Sequence, residues 1–172
     1  MKKIQEKSAA KSKQYTDTED RAALTLKEPA LSYGTGLIFP MHTSKPQRKM
    51  TTFEKIGLIR EGISKRDFED FKQKAGLDYD QLAATLSVAR ATLINKKGAE
   101  KFNQTLSEKI MSLADIYSYG YEVFEDNKRF NEWIFRPNQA LGGIPPYDLL
   151  DNQYGREEIK DLIGRIDYGV YS

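Results

Sequence analysis

The sequence predicts an all-α fold, and three observations carry that expectation. From Thr52 onward apolar residues recur every three or four positions, the spacing of one face of a helix. The periodic stretches begin at Ser, Thr or Asp, with an acidic or amide residue three positions later in several cases, and end at glycine. No alternating β-branched run of useful length interrupts them. The stretch before Thr52 has no sustained period. The expected organisation is therefore a flexible, largely disordered arm over 1–51, a helix-turn-helix domain over 52–104 and a small helical domain over 105–172.

The arm is rich in Lys, Ser, Thr, Gln and Glu and is broken by Pro29, Pro40 and Pro46. Its apolar pieces, Ala22-Ala23-Leu24-Thr25-Leu26 and Gly36-Leu37-Ile38-Phe39, look too brief to bury much, so ordering alone would gain it little. Gly34-Thr35-Gly36 lacks the strand and the Gly-Lys-Ser/Thr of a phosphate loop and reads as a plain loop. A first helix should then present Phe53, Ile56, Ile59 and Ile63 inward, with Gly62 as its stop. Ser64 with Asp67 should cap a second, whose buried stripe is Phe68, Phe71 and Ala75 before Gly76. Asp78 with Gln81 caps a short third ending near Leu86, and Ser87 would cap a fourth running to about Lys97. Thr105 with Glu108 would open a long helix with the stripe Leu106, Ile110, Leu113, Tyr117, Tyr121 and Phe124, which is core spacing rather than a cofactor surface. Asp126 starts another, burying Phe130, Trp133 and Ile134 and stopping by Arg136, because Pro137 disfavours helix before it. The last helix should run from Tyr154 to Asp167 with Ile159, Leu162, Ile163 and Ile166 facing in.

Composition limits the chemistry. The chain has no cysteine and a single histidine, His42, which falls in the arm without a fixed acid beside it. Disulfides and thiolate metal sites are excluded, and no metal, cofactor or enzymatic activity is expected. Asp148 and Asp151, three apart near a helix start, read as capping or dipole-matching carboxylates. No apolar run reaches membrane length, and the charged start Met1-Lys2-Lys3-Ile4 has no apolar stretch behind it, so neither a membrane segment nor a signal peptide is expected. The mean hydropathy of −0.65 indicates a soluble chain with a modest core, and the lack of cysteine fits a reducing cytoplasm as the expected setting. The net charge of +2 hides a gradient: +5 over 1–52, +2 over 53–98 and −5 over 99–172. A polyanion would favour the front and be repelled by the back, which suggests two different partners, although uneven surface charge alone would give the same sums.

The stretch Leu82-Ala83-Ala84-Thr85-Leu86-Ser87-Val88-Ala89-Arg90-Ala91-Thr92-Leu93 places apolar residues at 82, 86, 88 and 93 and a small one at 83, where two short helices must nearly touch. It resembles the helix-turn-helix of Xre-type repressors, departing from it at Ser87, where glycine is usual, and at Lys96, where an apolar residue is common. On that resemblance Arg90, Asn95, Lys96 and Lys97 would face operator DNA, the first two able to read base edges and the lysines neutralising phosphate. The alternative is a helical corner with a solvated basic end. Ala89, Ala91 and Ile94 on the same surface leave direct readout thin, so dimerisation or the basic arm would have to add affinity.

The C-terminal block contains Trp133-Ile134-Phe135-Arg136-Pro137-Asn138-Gln139-Ala140-Leu141-Gly142-Gly143, then Pro146-Tyr147-Asp148-Leu149-Leu150, and closes on Gly164-Arg165-Ile166-Asp167-Tyr168-Gly169-Val170-Tyr171. Asn138 can turn the chain through its own backbone, and Gly142 and Gly143 allow either unusual backbone angles or close approach by another chain. A closing stretch with two tyrosines, a glycine and a valine reads as an anchor for another surface, or else as a segment packed back on its own domain. The block resembles the toxin-binding domain of Xre/MbcA/ParS-type antitoxins, and with the helix-turn-helix the likeness covers roughly 53–172. The resemblance implies an antitoxin of a type II toxin–antitoxin system that covers the active site of an NAD-consuming RES-domain toxin and represses its own operon. Asn138, Gly142, Gly143, Arg165, Asp167, Tyr168, Gly169, Val170 and Tyr171 would then bind the toxin, with the chain acting as a homodimer in a hetero-oligomeric complex. The competing expectation is a DNA-binding regulator whose C-terminal domain only dimerises.

Overall fold

The structure is a computed structural model that describes residues 36–40 and 45–169. Most of the arm, His42, and Val170 and Tyr171 of the tail lie outside the described residues. Among those described there are seven α-helices, three short 3-10 turns and no strand. The all-α expectation holds.

α1 (Thr52–Glu61) opens at Thr51, whose side chain and that of Glu54 satisfy each other's backbone N–H groups in a full capping box. α2 (Lys65–Ala75) is capped by Ser64 and closed by Gly76 in the left-handed region, as its sequence predicts. α3 (Tyr79–Leu86) has the Asp78/Gln81 capping box. α4 (Arg90–Ile94), α5 (Gln104–Phe124), α6 (Asn127–Trp133) and α7 (Gln153–Asp167) complete the set. α5 is the spine: α1, α6 and α7 pack along it. Its predicted stripe is buried from Leu106 to Tyr121, with Phe124 partly covered. Tyr117, Tyr121, Phe130, Phe71 and Phe39 meet edge to face, a favoured arrangement for ring quadrupoles. Gly120 makes this possible, because a Cβ there would collide with the Phe130 ring. The helix-turn-helix and the C-terminal helices share one hydrophobic core.

Five expectations need correction. Phe53 is 86% exposed rather than inward. Steps of three residues rotate a helix face, so Phe53 lies about 120° round from Ile59, and Leu58 packs on the core instead. Ser87 does not cap α4. It ends α3 at φ +52, because the turn between the two helices needs a left-handed residue there, and α4 starts three residues later without a side-chain cap. α4 also stops at Ile94, so Asn95, Lys96 and Lys97 follow the helix instead of riding on it. The cap of α5 is Asn103, which accepts the Leu106 N–H at 2.9 Å, ahead of the Thr105/Glu108 pair. Buried Phe102, whose N–H bonds Ile63 O at 2.9 Å, fixes the chain's entry at that earlier point.

The last correction concerns the arm. Ile38 and Phe39 are each 1% exposed, and Gln47 is fully buried with its Oε1 accepting the Ile38 N–H at 2.5 Å. Lys74 Nζ donates to Leu37 O at 2.6 Å, and Arg48 N–H donates to Ser118 Oγ at 3.1 Å. These residues form a strap across α2 and α5. Alone they gain little by ordering; against a cleft lined by Phe71 they bury two large apolar side chains, which offsets the cost of ordering the strap.

Candidate functional site

Two surfaces carry the candidate residues. The first is the helix-turn-helix. Leu82, Leu86 and Leu93 are fully buried and Ala83 nearly so, which holds α3 against α4 at the predicted positions. Two lysines finish the corner from behind: Lys109 donates to Leu86 O at 2.8 Å, and buried Lys65 donates to Leu93 O at 2.6 Å, satisfying carbonyls near the ends of both helices. α4 spans only five residues, about 7.5 Å of axis at 1.5 Å per residue. Arg90 begins it and Asn95 closes it, so these two candidates stand at opposite ends of one short rod. Arg90 Nε lies 3.2 Å from Asp80 Oδ1 on α3, both side chains largely in solvent. Lys96 is half-buried with its ammonium 5.9 Å from the centre of the Phe102 ring, and Lys97 is exposed. Between them Ala89, Ala91, Thr92 and Ile94 face outward, giving a mostly apolar surface edged by cations.

The second surface is built by α7 and by the segment between α6 and α7. Asn138 Oδ1 accepts the Ala140 N–H at 2.9 Å, the self-turn its residue type predicts. The loop then closes on itself, with Gly143 N–H bonded to Asn138 O at 2.8 Å and Asn138 bridged to Ile144. Gly142 and Gly143 sit at φ +67 and +86 with open space where a Cβ would be. Within this chain they serve the turn, not a close packing contact. Phe135 and Ile144 are about 40% exposed beside it, an apolar addition to the predicted set. Tyr147 ties the block to α3, accepting a hydrogen bond from Thr85 Oγ1 at 2.8 Å.

α7 buries Ile159, Leu162 and Ile163, while Ile166 is only partly covered. Arg165 pairs with Glu158 at 2.8 Å. Asp167, its last residue, accepts from the Tyr119 hydroxyl at 3.3 Å. Burial raises the pKa of that hydroxyl, Arg48 opposing the shift and Asp167 adding to it, so it remains a proton donor at neutral pH. Tyr168 then leaves the helix 83% exposed although its N–H still bonds Gly164 O at 3.0 Å, and Gly169 follows at φ +68. An exposed tyrosine on a fixed backbone is suited to anchoring, since its large area enters a partner at low entropy cost. Beside it lies an open groove of about 710 Å³ lined by Arg48, Tyr119, Lys160, Gly164, Arg165 and Tyr168. Sequence reasoning placed Arg165, Asp167 and Tyr168 here but missed Arg48 and Tyr119, for which no local pattern exists. Among the described residues no helix is long and apolar enough to cross a membrane, and no cluster of three or more metal-ligating side chains forms.

Residues 54–115 match the antitoxin Xre-like helix-turn-helix domain, and residues 120–169 match the antitoxin Xre/MbcA/ParS C-terminal toxin-binding domain. The chain is similar to a Prs ADP-ribosylating antitoxin of Sphingobium sp. (strain YBL2), 26% identical over 77% of this chain and 90% of the relative. It is also similar to an antitoxin Xre of Photorhabdus laumondii (30% identical, 44% of this chain and 51% of the relative). A third relative is an antitoxin Xre of Yersinia enterocolitica (29% identical, 53% of this chain and 62% of the relative).

Proposed function

The chain belongs to the Xre/MbcA/ParS-type antitoxins, and from that premise we propose that it holds a RES-domain, NAD-consuming toxin inactive through the α7 tail and the Asn138–Gly143 loop. As an antitoxin it is a binding and regulatory protein, not an enzyme. In this reading Tyr168, Gly169, Val170 and Tyr171 enter the toxin's active-site entrance. Arg165 and Asp167 set their direction, and the exposed loop at Asn138, Gly142 and Gly143 widens the contact. The observation that carries it is Tyr168, presented to solvent at the end of a helix that already buries Ile159, Leu162 and Ile163. The Sphingobium relative carries ADP-ribosylation in its name, and an ADP-ribosyl group comes from NAD, which agrees with a system that uses NAD.

The basic surface around α4 is proposed to bind the operator of the same operon in the cytoplasm. Arg90 and Asn95 contact bases, Lys96 and Lys97 contact phosphates, and a homodimer within the toxin–antitoxin complex supplies a second half-site. Truncation after Asp167 tests the toxin half of the proposal. Circular dichroism should show an unchanged fold, while affinity for an inactivated RES-domain toxin should fall by about a thousandfold, because two tyrosine anchors of about 2 kcal/mol each are removed. Undiminished binding by a folded truncated chain would sink the tail assignment and leave the loop as the contact.

A further inference from the structure

The guanidinium of Arg48, in the strap, lies 3.5 Å from the centroid of the Tyr119 ring on α5. From there it reaches two carboxylates on different helices: Glu122 Oε2 of α5 at 3.5 Å and Asp167 Oδ2 of α7 at 3.8 Å. Its own backbone N–H is held by Ser118 Oγ at 3.1 Å, so the side chain starts from a fixed point. Asp167 is the last residue of α7, where a negative side chain meets the negative end of the helix dipole. Arg48 and the Tyr119 hydroxyl supply the compensating positive charge and the hydrogen bond at that spot. The next residue is Tyr168, on the rim of the same groove.

We propose that Arg48 is a positioning residue for partner binding: it fastens the C-terminal end of α7 to α5 and so fixes the direction in which Tyr168 leaves the domain. The proposal rests on the reading of the tail as the toxin anchor. Its chemistry needs arginine, because the planar guanidinium stacks on Tyr119 and reaches both carboxylates, which a lysine cannot do together. The strap thereby acquires a role at the toxin surface through Asp167, the residue that precedes the proposed anchor.

The test uses the full chain with Arg48→Met, which keeps the bulk and removes the charge, and Arg48→Lys, which keeps only the charge. Amide hydrogen exchange on the free protein should speed up about tenfold at Tyr168 and Gly169 in Arg48→Met, with the α5 amides unmoved. Affinity for an inactivated RES-domain toxin should fall about tenfold, since the tail must then be ordered on binding. Arg48→Lys should recover part of both effects. In a Tyr168→Ala background most of the Arg48→Met penalty should disappear, because the two residues act in series. Unchanged exchange at Tyr168, or penalties that simply add, would overturn the proposal while the anchor reading stands. If Tyr168→Ala alone binds like wild type, the anchor reading fails, and the role of Arg48 fails with it.

Discussion

The α4 surface and the α7 tail differ in how their candidate binding side chains are held. Arg90 and Lys97 project from a five-residue helix and the turn after it, and Arg90 is held by an ion pair with Asp80 in which both partners are more than half exposed. At the base of the tail, Arg48, Tyr119, Glu122 and Asp167 form a network across three segments, and Tyr168 follows directly from it. Exposed ion pairs are worth about 0–1 kcal/mol and weaken with salt, so the α4 cations stay free to follow a phosphate backbone. Stacking and shared charge on a packed helix end leave much less freedom. The difference suits the two proposed ligands: long-range attraction steers toward DNA, whereas a protein cleft rewards a group that is already aimed.

The hardest blow to this comparison is aimed at the strap, because the tail network hangs from it. Phe39→Ala should destabilise the protein by about 3–5 kcal/mol, as for other buried phenylalanines cut to alanine, since Phe39 is 1% exposed and packs on Phe71. Chemical denaturation measures it; a loss below about 1 kcal/mol would mean the strap is not core. On the other side, Arg90→Ala with Lys97→Ala should lower operator affinity about tenfold or more and flatten the salt slope by about 1, the share of the Lys97 phosphate contact, leaving toxin affinity unchanged. Gel-shift titrations across a salt series check both numbers. Asp80→Ala sharpens the contrast with a smaller effect of opposite sign. Freeing Arg90 and removing a negative charge should tighten DNA binding about two- to fivefold, and any weakening would show that the pair orients Arg90 productively.

The smallest effect is a pH response at the strap's far end. The hydrogen bond from Lys45, followed by those from Thr51, holds the Glu54 carboxyl down to about 2. A depressed carboxylate stabilises the fold above its unfolded pKa near 4.5 and loses that contribution as pH falls through the interval toward 2. An NMR titration should find Glu54 still ionised at pH 3.5, whereas a midpoint near 4.5 would mean that the capping box and the Lys45 pair do not persist in solution.

Local rules reach a long way along this chain. The caps at Ser64, Asp78 and Asp126, the stop at Gly76, the self-turn of Asn138 and the buried stripes of α2, α5 and α7 each depend on residues within one or two turns, so they are legible in order along the sequence. Where two local signals compete, the outcome is less visible: Asn103 caps α5 ahead of Thr105 because Phe102 has been drawn into the core, and α4 starts late because Ser87 is spent on the turn. The exposure of Phe53 is a third instance, decided by which face of α1 meets α5.

The sequence by itself determined that the protein is helical, that its helix-turn-helix is followed by a block resembling an antitoxin's toxin-binding domain, and that Arg165, Asp167 and Tyr168 lie together at the end of the last helix. These follow from periodicity, capping chemistry and ordered motifs, all of which act over short separations along the chain. Only the tertiary structure decided that residues 36–40 and 45–50 belong to the folded body, that Gly120 admits the Phe130 ring, and that Arg48 stands over Tyr119 beside Asp167. Arg48 and Asp167 are more than a hundred positions apart in the sequence. A charge at such a distance gains a partner only after the strap, α5 and α7 have packed together, and nothing in the composition around Arg48 records which carboxylate that will be.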